Sequence, residues 1–435
     1  MANQRVAILG GGVAGCVLAR QLSNAPDLDI DIIERETRLG GLHRTHIADG
    51  LPFDIGAFVF DAGNPLFTSF PGLVDLFRQV EHRASTITPR GAIDIYPISF
   101  HGYMRDHSFI DATLAAANLL FDKARYHQRD TLPSFIRYYV GDTLYRESGL
   151  KNYVERFYMM SEDEIDIAFA RQRLATMADA ASLRGNVTRL ARRMTGRHDS
   201  TPWQCYVRPP EGFDVAYGFV AEQLRQCGVR LRMDTTVKTI KRSGSGFVIG
   251  ANGSDEYYDR VIATIPITSL VESLGIVAEP VEHMSLLSLF FRFSGEITEP
   301  GHYFVNFTSH PSWKRLVVFS RYYGTVDGDH YFTVECTRRN PTAQDLATTS
   351  IDVAEHLRTL AFLDGNAQYV GGSITPNAYP LLRRGHVEKL AAIKRAVEEQ
   401  GIELIGRQAT FRHQSSQQVG VDAQLAAARM LDRAS

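Results

Sequence analysis

Apolar and polar positions along this chain follow two different periods. "RVAILG" (5–10) is a short unbroken apolar run closed by glycine, which predicts a buried strand. Val13, Val17 and Leu18, followed by Gln21 and Leu22, continue at helical spacing, and "IDIIE" (30–34) predicts a second buried strand. Strand, glycine turn, helix and strand in this order predict the opening of a dinucleotide-binding unit.

From about 105 to 200 the pattern is helical. Ile110, Leu114, Ala117 and Phe121 share one helical stripe, and "LPSFIRYYVGDTLYRESGLKNYVERFYMM" is long, aromatic and poor in turn signals. This predicts an inserted helical domain. After the loop "RPPEGF" (208–213) the chain returns to α/β. "VAYGFVAEQLRQCG" predicts a helix stopped by Gly228, "VRLRM" and "TVKTI" predict strands, and "GFVIG" to "RVIATIP" predicts a hairpin feeding a buried strand. "SLLSLFFRF", "RLVVFSRYY" and "HYFTVECT" predict a β-rich region. "IDVAEHLRTLAFL", "HVEKLAAIKRAVEEQG" and "VDAQLAAARML" predict helices, with "IELIG" a short strand among them. The expected organisation is one discontinuous α/β domain, residues 1–100, 206–275 and 386–435. A helical insert at 101–205 and a mixed β-sheet substrate domain at 276–385 interrupt it.

Composition narrows the class. Of 435 residues, 44% are hydrophobic and 22% charged, the balance of a globular protein. Lys and Arg number 47 and Asp and Glu 49, a formal charge of −2. This excludes an overall electrostatic pull toward nucleic acid. Cys16, Cys205, Cys227 and Cys336 are scattered without a C-x-x-C pair, and His43, His46, His101, His107 and His413 have no partner at metal spacing. No metal site is expected. No apolar run approaches the roughly 20 residues of a membrane span, and the N-terminus lacks a signal-peptide pattern, so a cytoplasmic protein is expected.

Candidate chemistry begins with Gly10-x-Gly12-x-x-Gly15 between the first strand and helix. The first glycine suits a tight turn, the second close approach of a pyrophosphate, and the third helix–strand packing. Glu34 ends the second strand, 34 − 10 = 24 positions after Gly10, near the spacing of about 20 expected for a ribose-binding carboxylate. A second pair, Gly40 and Gly41, follows, with Thr45 shortly after.

Glu-x5-Gly-Gly followed by Thr resembles the large FAD superfamily that includes amine oxidases, protoporphyrinogen oxidase and UDP-galactopyranose mutase. "YYDRVIATIP" (257–266) and "IELIGRQATF" (402–411) resemble its returning strand and its late Gly-Arg segment. The resemblance implies a Rossmann-like FAD-binding domain of the glutathione-reductase type. It implies FAD contacts from Gly10, Gly12, Val13, Ala14, Gly15, Glu34, Arg35, Gly40, Gly41, Leu42, Ala57, Phe58, Val237, Gly406 and Arg407.

Within that superfamily, "LPFDIGAFVFD" (51–61) and "AYP" followed by a helix and "GR" resemble UDP-galactopyranose mutase-like proteins. The implied substrate is a nucleotide-activated sugar, with the flavin itself as nucleophile. Trp313, Lys314, Arg315, Arg321 and Tyr322 surround one predicted strand and are candidates for holding its diphosphate. "RLARRMTGR" (189–197) is a second basic candidate. Phe58 stands where mutases carry a flavin-side histidine, and the tail lacks their aspartate-rich ending. Phe58 and His43 are therefore only candidates for the catalytic position. An FAD oxidoreductase, an amine oxidase or a desaturase-like enzyme, remains the alternative. A flavin-free escort protein of the same fold is opposed by the intact glycine and glutamate pattern. The sequence leaves the oligomeric state open.

Overall fold

The computed structural model describes residues 3–97, 103, 108–174 and 203–432. Its first layer is a parallel five-stranded sheet. In spatial order the strands are Glu403–Leu404, Arg260–Ala263, Gln4–Leu9, Leu28–Ile33 and Arg230–Arg232. The unbroken apolar runs read in the sequence are central strands, buried on both faces. The helix Val13–Leu22 covers one face, packed against the last helix, Ser416–Asp432. Five strands drawn from distant parts of the chain thus end at one edge. Gly10, Glu34 and Thr264 directly follow three of those carboxyl ends, the usual place for a ligand crevice in such sheets.

The second layer is a seven-stranded sheet, ordered Leu363–Pro380, His283–Ile297, His330–Arg338, Arg315–Val318, Tyr303–Asn306, Ala84–Ile87 and Ile93–Ile95. Pairing is antiparallel except between Tyr303–Asn306 and Ala84–Ile87. Two sequence expectations are corrected here, and one strand was not foreseen. The strand begun at Arg315 ends at Val318, and Ser320–Tyr323 forms a helical turn stopped by Gly324 at φ 92°. The helix expected over 351–363 runs instead over Ala343–Leu357, started by Asp345, which accepts from the Thr342 amide. The long strand Leu363–Pro380 was not legible because it is polar, glycine-rich and contains Pro376. Its place at the edge of the sheet tolerates all three.

The aromatic segment from Leu132 forms three helices, Leu132–Val140, Asp142–Glu147 and Leu150–Tyr158. Gly141 at φ 83° and Gly149 at φ 79° make the breaks. Arg156 fastens the last of these to the large sheet. It is buried and donates to the carbonyls of Asn306, at 2.7 Å, and Thr308, at 2.5 Å. Among the described residues, no helix is long and apolar enough to cross a membrane.

One buried ion pair locks the loop beside the crevice. Arg208 donates from Nε to both Asp54 oxygens at 2.7 and 2.9 Å, and from its other nitrogens to the carbonyls of Pro52, Pro209 and Pro210. Asp54 also accepts from Thr45, whose hydroxyl receives the Phe213 amide at the start of the helix Phe213–Gln226. Removing the arginine leaves a buried carboxylate without its charge partner. We expect Arg208→Ala to cost about 3–5 kcal/mol in denaturant unfolding. The double variant Arg208→Met/Asp54→Asn should recover part of that loss. An unchanged unfolding midpoint in the single variant would contradict this account.

Candidate cofactor and substrate cleft

A cleft of about 1340 Å³ runs from the carboxyl edge of the parallel sheet to the large sheet. At its first end the glycines have separate jobs. Gly10 sits at φ +103°, a conformation side chains disfavour. A Cβ at Gly15 would lie 2.0 Å from the Gly10 carbonyl oxygen, so turn and helix close only with glycine there. Gly12 differs. Its φ is −76°, and a Cβ would meet only the Gly41 Cα, at 3.7 Å. The fold does not require glycine at this position; the open space beside it does. That vacancy, at a helix N-terminus without a side-chain cap, fits a pyrophosphate.

Glu34 is buried beneath this turn. Its Oε2 accepts the Gly11 amide at 2.7 Å and its Oε1 accepts the Glu36 amide at 3.0 Å. A carboxylate has about four acceptor sites, so both oxygens can still take a ribose hydroxyl. The second glycine turn stacks on the first: Gly40 donates to the Gly11 carbonyl, and a Cβ at Gly41 would lie 3.1 Å from the Gly12 Cα.

The far end of the cleft is cationic. Arg315 and Glu335 are directly paired across neighbouring strands. Arg315 donates from Nε to Glu335 at 3.1 Å, to the Tyr303 hydroxyl at 2.9 Å and to the Tyr379 hydroxyl at 2.8 Å. Arg407 lies 4.9 Å from the Tyr379 ring centre. Arg173 donates to Tyr153 at 3.1 Å and lies 2.8 Å from Nε2 of His413. Burial, reinforced by Arg173, pushes His413 well below its ordinary pKa. Neutral His413 therefore accepts at Nε2 and carries its proton on Nδ1. Burial raises the Glu335 pKa, but Arg315 and Lys314 outweigh it and keep the carboxyl below its usual range. Its Oε1 is buried without a hydrogen-bond partner, against Gly56, where a Cβ would lie 2.8 Å from it.

The residues singled out from sequence divide sharply. Gly10, Gly12, Val13, Ala14, Glu34, Arg35, Gly40, Gly41, Leu42, Ala57, Phe58, Val237, Arg315 and Arg407 line the cleft. Gly15 and Gly406 stand behind it, Gly406 because a Cβ there would lie 2.7 Å from that of Ala14. His43 lines the cleft but is held by packing: Nδ1 lies 2.7 Å from the Tyr217 hydroxyl, and the ring stacks on Phe213. Trp313 is buried and donates to His356. Arg321 donates to the Ile297 and Glu299 carbonyls, and Tyr322 is buried against His82. Lys314 is fully buried, 3.6 Å from Glu335 and 3.9 Å from the Tyr379 ring centre. These four do not line the cleft: Trp313 and Lys314 are buried in the loop before the strand, and Arg321 and Tyr322 belong to the helical turn after it. "RLARRMTGR", His101 and His107 lie outside the described residues. Arg173 and Glu335 sit in no motif. The one available signal was a lone glutamate inside the apolar strand "HYFTVECT". Among the described residues, no group of His, Cys, Asp and Glu is placed to hold a metal.

Residues 8–78 match the model of an NAD(P)-binding Rossmann-like domain. No curated protein sequence matches the chain. Reduced UDP-galactopyranose mutase superposes with a TM-score of 0.80 at 15% identity, covering 99% of this chain and 94% of that one. The chain shares that fold. A proposed protoporphyrinogen oxidase from Exiguobacterium sp. 255-15 gives 0.72 at 19% identity, with 99% of both chains covered. Putrescine oxidase bound to putrescine gives 0.60 at 17%, again with 99% of both. The chain shares one fold with these three structures.

Two expectations follow from this geometry. Gly12→Glu should leave the circular dichroism spectrum unchanged and abolish FAD uptake, because it fills the vacancy with bulk and negative charge. Retained flavin absorbance would rule out this placement of the pyrophosphate. The second concerns pH. Burial lowers His43 to about 3 from an ordinary 6.5. The unfolded chain therefore binds a proton first on acidification. The stability contributed by neutral His43 is complete above the ordinary value and falls as pH drops toward the folded one. Urea midpoints measured at pH 7 and pH 5 should differ less for His43→Gln than for the wild type.

Proposed function

We propose that this protein is an FAD-dependent enzyme of the mutase-like branch that acts on a nucleotide-activated sugar. The observation that carries the reading is the charge of the far end of the cleft. Among the described residues, Arg173, Arg315 and Arg407 line it around the carboxylate of Glu335. Such a surplus of guanidinium suits a diphosphate, whose oxygens accept paired N–H donors. It is unfavourable to an amine, which is why the amine-oxidase alternative is the weaker one.

In this reading the dinucleotide lies along the glycine turns, with Glu34 on its adenosine ribose and Val237 beside the adenine. Ala57, Phe58 and Arg407 flank the flavin. Bound there, FAD supplies a ring system capable of redox and nucleophilic chemistry. The chain's own residues bind and orient. Arg173 and Arg315 hold the diphosphate, and the Tyr153 and Tyr379 hydroxyls fix the two guanidiniums. Phe58 excludes water from the flavin edge where related mutases place a histidine. His43, kept neutral by burial, packs beneath it and moves no proton at neutral pH.

Reduced protein should bind UDP-galactose with a perturbation of the flavin spectrum. Arg315→Ala would strand buried Glu335, so Arg173→Ala is the cleaner variant. Loss of one charge-assisted contact, about 1.5–3 kcal/mol, should weaken binding by roughly ten- to a hundredfold. Flavin content should not change. Steady oxygen consumption with an amine, together with no spectral response to the nucleotide sugar, would replace this reading with the oxidase.

A further inference from the structure

The Lys314 amine is a buried group that the chemistry above leaves unused. Its side chain is fully buried, and among the described residues Nζ has no hydrogen-bond partner. The chain cannot turn it outward. The Lys314 amide donates to the Glu335 carbonyl and its carbonyl accepts the Asn306 amide, both at 2.9 Å, so the backbone is fixed between two strands. Nζ lies 3.9 Å from the Tyr379 ring centre and 4.6 Å from that of Phe157. The same two rings receive Arg407 and Arg173, each at 4.9 Å. Glu335 is 3.6 Å away, and its Oε2 already accepts from Arg315.

Arg173, Arg315 and Arg407 keep their charge throughout the ordinary pH range. Less the Glu335 carboxylate, these three guanidiniums set two net positive charges around Lys314. An ammonium there gains the faces of two rings, but it loses water and meets repulsion. Burial first, and Arg315 next, hold the amine well below the ordinary 10.5 of lysine. The other groups packed around it do not titrate near neutrality. Burial raises the Tyr303 and Tyr379 hydroxyls and pushes the Cys336 thiol up to about 12, so all three keep their protons. Burial keeps His413 neutral, and the burial of Glu335 is outweighed by Arg315, which keeps it ionised. Arg156, on the adjacent helix, is occupied by the Asn306 and Thr308 carbonyls.

We propose, resting on the diphosphate reading of the cleft, that Lys314 takes up a proton when the diphosphate binds to Arg173 and Arg315. Two phosphate charges on those guanidiniums bring the surroundings of Lys314 from two net positive charges to none. The ammonium is then favoured by Glu335 at 3.6 Å and by the two rings, with its burial alone against it. The proton comes from solvent and bonds to the Nζ lone pair; no other bond forms or breaks. Lys314 does not line the cleft, so it acts on the anion through its field and not by contact. A permanent fourth cation would repel the three arginines in the empty pocket; one that appears with the anion does not. The complex holds a proton that the free protein lacks. Affinity is therefore highest on the acidic side of the titration and falls as pH rises through it, by at most about tenfold per pH unit for one proton.

Titration calorimetry of the reduced holoprotein with UDP-galactose, at about pH 8 in buffers of different ionisation heat, tests this. The diphosphate ester of this probe has no proton to exchange near neutrality, so the buffer dependence counts protons taken up by the protein. The wild type should take up as much as one proton, and its affinity should fall between about pH 7 and pH 9. Lys314→Met, close in volume and unable to titrate, should bind with no uptake and a flat pH dependence. Lys314→Arg, which never loses its charge, should also bind without uptake and decides the matter if the methionine variant does not fold. His413→Gln should take up protons as the wild type does. Binding without uptake by the wild type overturns the inference and leaves the diphosphate reading standing. Uptake that persists in the Lys314 variants overturns it too and assigns the proton to the flavin or to His413. Failure of UDP-galactose to bind at all overturns both.

Discussion

Burying Glu335 is the constraint on which the cleft depends. A carboxylate inside a sheet costs several kcal/mol unless a cation meets it. Here the cation is Arg315, its cross-strand neighbour, with Lys314 behind. The pair cannot be rotated out of the cleft, because strand register fixes both Cα positions. Once Arg315 is fixed, its remaining donors orient Tyr303 and Tyr379. Tyr379 in turn offers its ring to Lys314 and Arg407. A cationic pocket therefore follows from a pairing whose first task is to make a buried charge tolerable.

The other end of the cleft rests on absence of side chains rather than on charge. Gly15 is required by the fold, since a Cβ would run into the Gly10 carbonyl. Gly12 is not, and its bare Cα is explained by what comes close to it from outside. Glu34 joins these two roles. It accepts amides from the turn it supports while keeping acceptor sites toward the cleft.

Between the two ends, three parts of the chain must agree in position. The large sheet contributes Arg315, Glu335 and Tyr379; the helical segment from Leu132 to Leu174 contributes Tyr153 and Arg173; the last segment contributes Arg407 and His413. Arg156 binds this helical segment to the sheet through the Asn306 and Thr308 carbonyls, and the contact from Arg173 to His413 ties it to the final segment. Each of these ties joins residues more than a hundred positions apart.

This distribution sets what was legible before folding. By itself the sequence determined the parallel core, the glycine turns and Glu34, because short apolar runs, helical spacing and glycine placement are local properties. Arg407 and the Ala57–Phe58 stretch were reached through segments that resemble a family, and both line the cleft. The cationic end was decided only by tertiary structure. Trp313, Lys314, Arg321 and Tyr322 stood in the same stretch as Arg315, yet the loop before the strand and the helical turn after it place them in the interior or against distant carbonyls. Arg173 and Glu335 had no motif to mark them, since each acquires its role from partners supplied by another part of the chain. The stripe on the helix Phe109–Arg125, where Ile110, Leu114 and Phe121 are exposed, shows the same limit from the other side. Its period was plain in the sequence, but only the packed molecule showed that this face points into solvent, because burial is a property of neighbours and not of spacing.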